Sequence, residues 1–178
     1  MIQKEEDIRT KAAIEIAEKM AVAARTAPKS RGRDTLSIVI ISGDDIERVA
    51  VRMVEIGTRE DIDFFKRDAE CVRKSKAILL IGSTVMPQML NCKMCGFATC
   101  KEKLIKASKA PCTFNSIDLG IALGSAVSVA ADNRVDNRIL YTAGVAAAEL
   151  GILGDEVKMQ FGIPISISEK SPFFDRKS

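Results

Sequence analysis

The chain has no histidine, no tryptophan and a single tyrosine among its 178 residues. Without histidine the commonest general base and nitrogen ligand is missing, which excludes Ser-His-Asp and Cys-His hydrolase mechanisms and leaves thiolate as the main donor for any bound metal. Charge of one sign is also scarce: 27 Lys+Arg against 24 Asp+Glu give a formal charge of +3, too small by itself to point to nucleic acid. No charged tail, low-complexity tract, internal repeat or long linker divides the sequence, so a single domain over residues 1–178 is expected. The apolar runs Ala77 to Gly82 and Ile121 to Ala131 fall short of the roughly 18 residues that cross a bilayer. The start, Met1 to Asp7, is acidic where a secretory signal would be basic and then apolar. A cytoplasmic protein with neither membrane nor nucleic acid as partner is the expectation.

What is present reads as a globular α+β chain, 47% hydrophobic and 29% charged, long enough to bury a sizeable core without a metal or disulfide staple. Ile8, Ala12, Ala13, Ile16, Ala17, Met20 and Ala24 recur at helical spacing and predict a helix ending before Pro28. Residues 26–34 (TAPKSRGRD) read as a basic loop. Leu36 to Ile41 predicts a strand covered on both faces. A helix opened by Asp44 and Glu47 and closed by Gly57 is expected next, then one opened by Thr58 and Asp61 running to about Lys74, then a buried strand over Ala77 to Gly82. Beyond the cysteines, Asn115 and Asp118 read as caps of a Gly- and Ala-rich helix. A helix over about Asp136 to Leu150 and a strand over Val157 to Ser168 complete the pattern, with Pro164 predicting an edge or a bulge in that strand.

Four of the five cysteines fall within 21 residues, spaced C-x2-C-x4-C-x11-C at Cys92, Cys95, Cys100 and Cys112. Three sulfurs within nine residues and a fourth returning later suit a loop wrapped around an iron-sulfur cluster, where each iron takes its own thiolate. Gly96 directly after the second cysteine lets the backbone approach the inorganic sulfides. Zinc held by four thiolates is the alternative, although such sites usually pair two C-x2-C knuckles. Plant-type 2Fe-2S spacing, C-x4-C-x2-C, runs in the reverse order, so 4Fe-4S is the better guess. Lys93, Lys101, Lys103, Lys106 and Lys109 flank the sulfurs and would favour a reduced cluster, or are simply one solvated helix face. Cys71, mid-helix beside Val72, reads as a buried inert thiol.

The block NCKMCGFATCKEKLIKASKAPC resembles the single-cluster 4Fe-4S segment of several anaerobic redox proteins, and the whole chain resembles an uncharacterised family of ferredoxin domain-containing proteins. Ala23 to Ser30 leading into strand Leu36 to Ile41, the text Asp118-Leu119-Gly120-Ile121-Ala122 and Gly162-Ile163-Pro164 are similar to nitroreductase-like flavoproteins. That second resemblance implies an α+β layered sheet flanked by helices, a homodimer formed through small-residue helices and the C-terminal tail, and possible binding of FMN. The cysteines would then form an inserted segment at 86–112. The flavin-contacting pattern after Ala27-Pro28 is not kept, although Arg25, Lys29 and Arg31 could clamp a phosphate. The reading that results is a 4Fe-4S electron-transfer protein of anaerobic-type metabolism, serving an unknown redox partner. An FMN-dependent reductase fed by the cluster and a zinc-stapled structural protein stand as alternatives.

Overall fold

The computed structural model describes residues 2–174. Its elements run α1 (Glu5–Thr26), β1 (Leu36–Ile41), α2 (Asp44–Arg59), α3 (Asp63–Arg73), β2 (Ala77–Thr84), α4 (Cys100–Lys106), α5 (Thr113–Asp132), β3 (Asp136–Asn137), α6 (Tyr141–Glu149) and β4 (Val157–Ser166). A four-stranded antiparallel sheet of order β1-β2-β4-β3 lies between two helical layers. Successive side chains of a strand point to opposite faces, and β2 shows the consequence. Ala77, Leu79 and Ile81 enter one core with Ala13, Ala17 and Met20 of α1 and Leu119, Ala122 and Ala126 of α5. Ile78 and Leu80 enter the other, with Val49 and Met53 of α2, Phe65 and Val72 of α3 and Ala143 and Ala147 of α6. Burying each large side chain among these is worth about 1.5–3 kcal/mol, and Leu80→Ala, which also leaves a cavity in the middle layer, should cost about 2–5 kcal/mol.

Several predicted boundaries shift for tertiary reasons. β1 has the expected limits but lies at the sheet edge, so its four central residues are half-buried and only Leu36 and Ile41 are buried. The N-cap of α2 is Gly43, with Asp44 and Glu47 inside the first turn. There their charges favour the positive end of the helix dipole. Gly57 does not close α2. It sits within it because α3 crosses there, and an added Cβ would meet Ile62 O and Phe65 Cβ at 3.0 Å. Thr58 is still part of α2, and Asp61 makes the turn before α3 with φ 56°.

The predicted helix over Asp136 to Leu150 divides into the two-residue β3, a bridge at Leu140 and the shorter α6. Pro164 lies in β4, an inner strand, without a bulge beside it. Gly162 exchanges both its backbone hydrogen bonds with Leu140, while Ile165 O faces the β2 side, where it accepts from Lys76 N–H. By alternation, the N–H that Pro164 lacks would face Arg138, which the shared register sets opposite it, so the ladder is interrupted there, between the Leu140 bridge and β3. α5 is long and apolar enough by composition to cross a membrane, which the shorter run read from the sequence did not suggest. One side of it packs on α1 and the sheet, and Ser125 Oγ donates to Ala23 O at 3.0 Å.

Candidate cysteine-lined site

The residues that leave β2 are pinned by side chains from three other segments. Asn115, 0% exposed in α5, donates through Nδ2 to Thr84 O (2.7 Å) and Met86 O (3.0 Å). Lys103 Nζ in α4 donates to Val85 O at 3.3 Å. Arg31 Nη1, in the loop after α1, donates to Gln88 O at 2.9 Å. A buried carbonyl left unpaired is costly, so these donors fix the path by which the chain enters the cysteine segment.

That segment turns repeatedly through the left-handed region, at Met89 (φ 56°), Asn91 (φ 48°), Lys93 (φ 64°) and Gly96 (φ 85°). Left-handed conformations are unfavourable for side chains other than Gly and need support from their surroundings. Asn91 has such support: its Oδ1 accepts the Cys100 N–H at 2.8 Å, and its own N–H donates to Cys100 Sγ at 3.3 Å. Thr99 caps α4, accepting the Glu102 N–H at 3.1 Å, while Glu102 Oε2 accepts the Ala98 N–H at 3.0 Å. Cys100 is thereby set as the first residue of α4, and Cys112 is the N-cap of α5.

Cys92, Cys95, Cys100 and Cys112 line one narrow, mostly enclosed cavity together with Lys103, Phe97 and Asn91. Cys100 and Cys112 are buried, Cys92 and Cys95 partly exposed, and all five cysteines of the chain are free thiols. Among the described residues, no three Cys, Asp or Glu side chains converge tightly enough to hold a single metal ion. Cys71 lies apart, in α3 among the helices of the other face. Burial pushes its thiol above the usual range, and Asp68 adds to the rise.

The lysines separate into two kinds. Lys93, Lys101, Lys106 and Lys109 are exposed, whereas Lys103 is 1% exposed and lines the sulfur cavity. Reading all five as one solvated face therefore fails for Lys103. The signal was present in the spacing, since residues three apart share a helical face and Lys103 follows Cys100 by three. Asn115 and Asp118 likewise are not the caps of α5. They lie within it, buried, on the inward side with Leu119 and Ala122. Asp118 accepts the Ser30 N–H at 3.1 and 3.0 Å and the Ser30 hydroxyl at 2.8 Å.

The three cations proposed for a phosphate are each engaged within the chain. Arg25 Nη1 bonds Asp34 Oδ2 at 2.5 Å and Leu36 O at 3.0 Å. Lys29 Nζ caps the end of α1, donating to Ala24 O, Arg25 O and Ala27 O at 2.6–2.7 Å. Burial lowers the Lys29 pKa below its ordinary value. Arg31 holds Gln88 O as described. The side chains that a flavin phosphate would need thus serve the fold in this arrangement.

A layered antiparallel sheet with a long central helix and a cysteine segment between β2 and that helix defines a nitroreductase-like scaffold. Solved structures agree. A nitroreductase with bound FMN from Desulfitobacterium hafniense DCB-2 superposes with a TM-score of 0.61 at 12% identity, covering 96% of this chain and 81% of that one. A BluB-like flavoprotein from Clostridium difficile 630 gives 0.56 at 19% identity, covering 92% and 83%. At these identities the likeness is one of fold. An uncharacterized protein from Archaeoglobus fulgidus is 45% identical over 99% of this chain and 98% of its own length. Residues 108–176 match the family described as "Uncharacterized protein containing a ferredoxin domain (DUF2148)". The chain belongs to that family.

Proposed function

We propose that this protein is an iron-sulfur redox protein, with Cys92, Cys95, Cys100 and Cys112 as the ligands of one cluster, best read as 4Fe-4S. The observation that carries the reading is the single cavity lined by those four residues and by no other cysteine. A zinc ion with Zn–S of about 2.3 Å would bring four sulfurs to roughly 3.8 Å from one another. The spacing C-x2-C-x4-C-x11-C suits a loop wrapped around a cluster, in which each thiolate takes a separate iron, whereas four-thiolate zinc sites usually pair two C-x2-C knuckles. The Asn91 N–H on Cys100 Sγ fits a ligand sulfur, because hydrogen bonds to sulfur tune such centres. Segment 86–112 carries five lysines and one glutamate, more than the whole positive surplus of the chain, which suits an anionic group.

When bound, the cluster takes up and returns one electron. The four cysteines would hold it, Cys100 and Cys112 from buried positions and Cys92 and Cys95, partly exposed, on the side nearer an unknown redox partner. Anaerobic preparation should give a brown protein with about four irons and four acid-labile sulfides per chain. Serine at any one of the four positions should lower the iron content, and Cys71→Ser should not. One zinc per chain and no sulfide would defeat the reading.

The second reading, an FMN-dependent reductase fed by the cluster, is favoured by the fold shared with FMN-bound nitroreductase. It requires Lys29 to leave the three carbonyls it caps, while Arg25 and Arg31, each bonded through Nη1, keep further guanidinium donors for a phosphate. Flavin fluorescence on titrating FMN into cluster-loaded protein tests it, and no quenching at micromolar protein counts against it. We also propose a homodimer through α5, whose outer face exposes Ile117, Gly120 and Ile121 beside a groove of about 680 Å³ shared with α6 and β4. Sedimentation of the wild type against Ile121→Lys tests that contact.

A further inference from the structure

Lys103 stands where lysine is rarely found. It is 1% exposed, and among the described residues its ammonium has one hydrogen bond, to Val85 O at 3.3 Å. Among the described residues no carboxylate pairs with it within 4.0 Å, and the adjacent Glu102 is turned to Lys106 at 2.7 Å. An ammonium withdrawn from water without a counter-ion is strongly disfavoured. The candidates for that counter-ion are the sulfurs across the cavity, those of Cys92, Cys95, Cys100 and Cys112.

We propose that Lys103 is the built-in counter-charge of the group these cysteines hold, and that it raises the group's reduction potential. The inference rests on the iron-sulfur reading above. Reduction adds one negative charge to a cluster that is already anionic, and a fixed cation nearby stabilises the more negative state. The four exposed lysines of the segment act through water and counter-ions, which screen them over roughly 8–10 Å at ordinary ionic strength. Lys103, shielded from solvent, escapes most of that screening. The arrangement of α4 supplies the position, since capping by Thr99 sets Cys100 and Lys103 on one helical face.

The test is a dithionite titration, followed by electron paramagnetic resonance, of anaerobically prepared holoprotein: wild type, Lys103→Met, Lys103→Arg and Lys109→Met, with iron and sulfide measured in each. At the wild-type midpoint, Lys103→Met should lower the ratio of reduced to oxidised cluster about tenfold, which is 59 mV for a one-electron couple. Arg should keep the ratio near that of wild type, and Lys109→Met should change it by less than about twofold. The Met effect should persist in high salt, where an exposed charge would lose its influence. Loss of iron in the Met variant with retention in the Arg variant also supports a charge requirement. Full iron in Lys103→Met with a ratio within about twofold of wild type overturns the proposal and leaves the iron-sulfur reading standing, as does equal loss of iron from both variants. Wild-type protein without iron and sulfide overturns the reading beneath it.

Discussion

Asp118 joins the loop after α1 to the central helix, and removing it should show how much that joint stabilises the fold. The carboxylate is 2% exposed and receives two donors from Ser30, the backbone N–H and the hydroxyl. Hydrogen bonds to a charged group contribute about 1.5–3 kcal/mol each. Desolvating the carboxylate offsets part of this, so Asp118→Ala should cost about 2–4 kcal/mol, including the penalty for a Ser30 N–H left without its acceptor. Asp118→Asn keeps one acceptor oxygen and should lose about half as much. Ser30→Ala removes only the hydroxyl and should cost about 1–2 kcal/mol. Urea unfolding reads each as a lower midpoint at unchanged slope. In a double-mutant cycle the Ser30→Ala and Asp118→Ala effects should be sub-additive by about 1 kcal/mol or more. Additivity, or an Asp118→Ala cost below about 0.5 kcal/mol, would refute the view that this pair anchors the loop.

Three further outcomes follow from other parts of the structure. Gly144→Ala places a Cβ at 1.8 Å from Gln160 O and 2.2 Å from Gln160 C. Both are backbone atoms of β4, so α6 must lift from the sheet, and a thermal melt should show a loss of about 3 kcal/mol or complete unfolding. Burial alone would raise the pKa of Asp34, but the Arg25 guanidinium and the Leu36 N–H hold it below its ordinary value of 3.8. A lowered carboxylate pKa means that the unfolded chain binds the proton more readily. The pair's contribution is therefore complete above that ordinary value and lost as pH falls through the folded one. Asp34→Asn should remove that component of acid sensitivity in urea midpoints compared at pH 3 and pH 6. In metal-free protein at pH 8, iodoacetamide should label the partly exposed Cys92 and Cys95 before Cys71, whose thiol is buried and shifted upward. Mass spectrometry of the digested protein gives the order.

The sequence made the layers legible because apolar periodicity reports burial directly. Ala77 to Gly82 is an unbroken apolar run, and it forms the inner strand β2 with no exposed residue. The cysteine spacing was legible for a similar local reason, since three of the four sulfurs lie on one short loop. What could not be read depends on partners distant in the chain. Asn115 and Asp118 have the short polar side chains of helix caps, and only the positions of Thr84, Met86 and Ser30, 29 to 88 residues away, show them to be interior anchors. β3 is two residues long, too short for any period to register. Lys103 is the exception, since its spacing of three from Cys100 already set it apart from its exposed neighbours and the cavity on its side of α4 bears that out.

These anchors bear on how the cysteine segment and the scaffold work together. Thr84 O, Val85 O, Met86 O and Gln88 O are held in turn by Asn115, Lys103, Asn115 and Arg31. Each donor belongs to a different part of the fold: the central helix, the helix that begins at Cys100, and the loop whose cations a flavin phosphate would need. Arg31 holds Gln88 O through Nη1, so a phosphate that drew the guanidinium away would release Gln88, whose side chain is 2% exposed with neither amide atom hydrogen-bonded among the described residues. Buried amide groups in that state are unfavourable and sensitive to a neighbour's movement. Binding at the loop and holding the sulfurs thus draw on one shared set of contacts. Arg31→Met should accordingly loosen the segment, seen as faster hydrogen exchange across residues 85–95 in the metal-free protein. Unchanged exchange there, with the fold intact, would mean that loop and cysteine segment are independent.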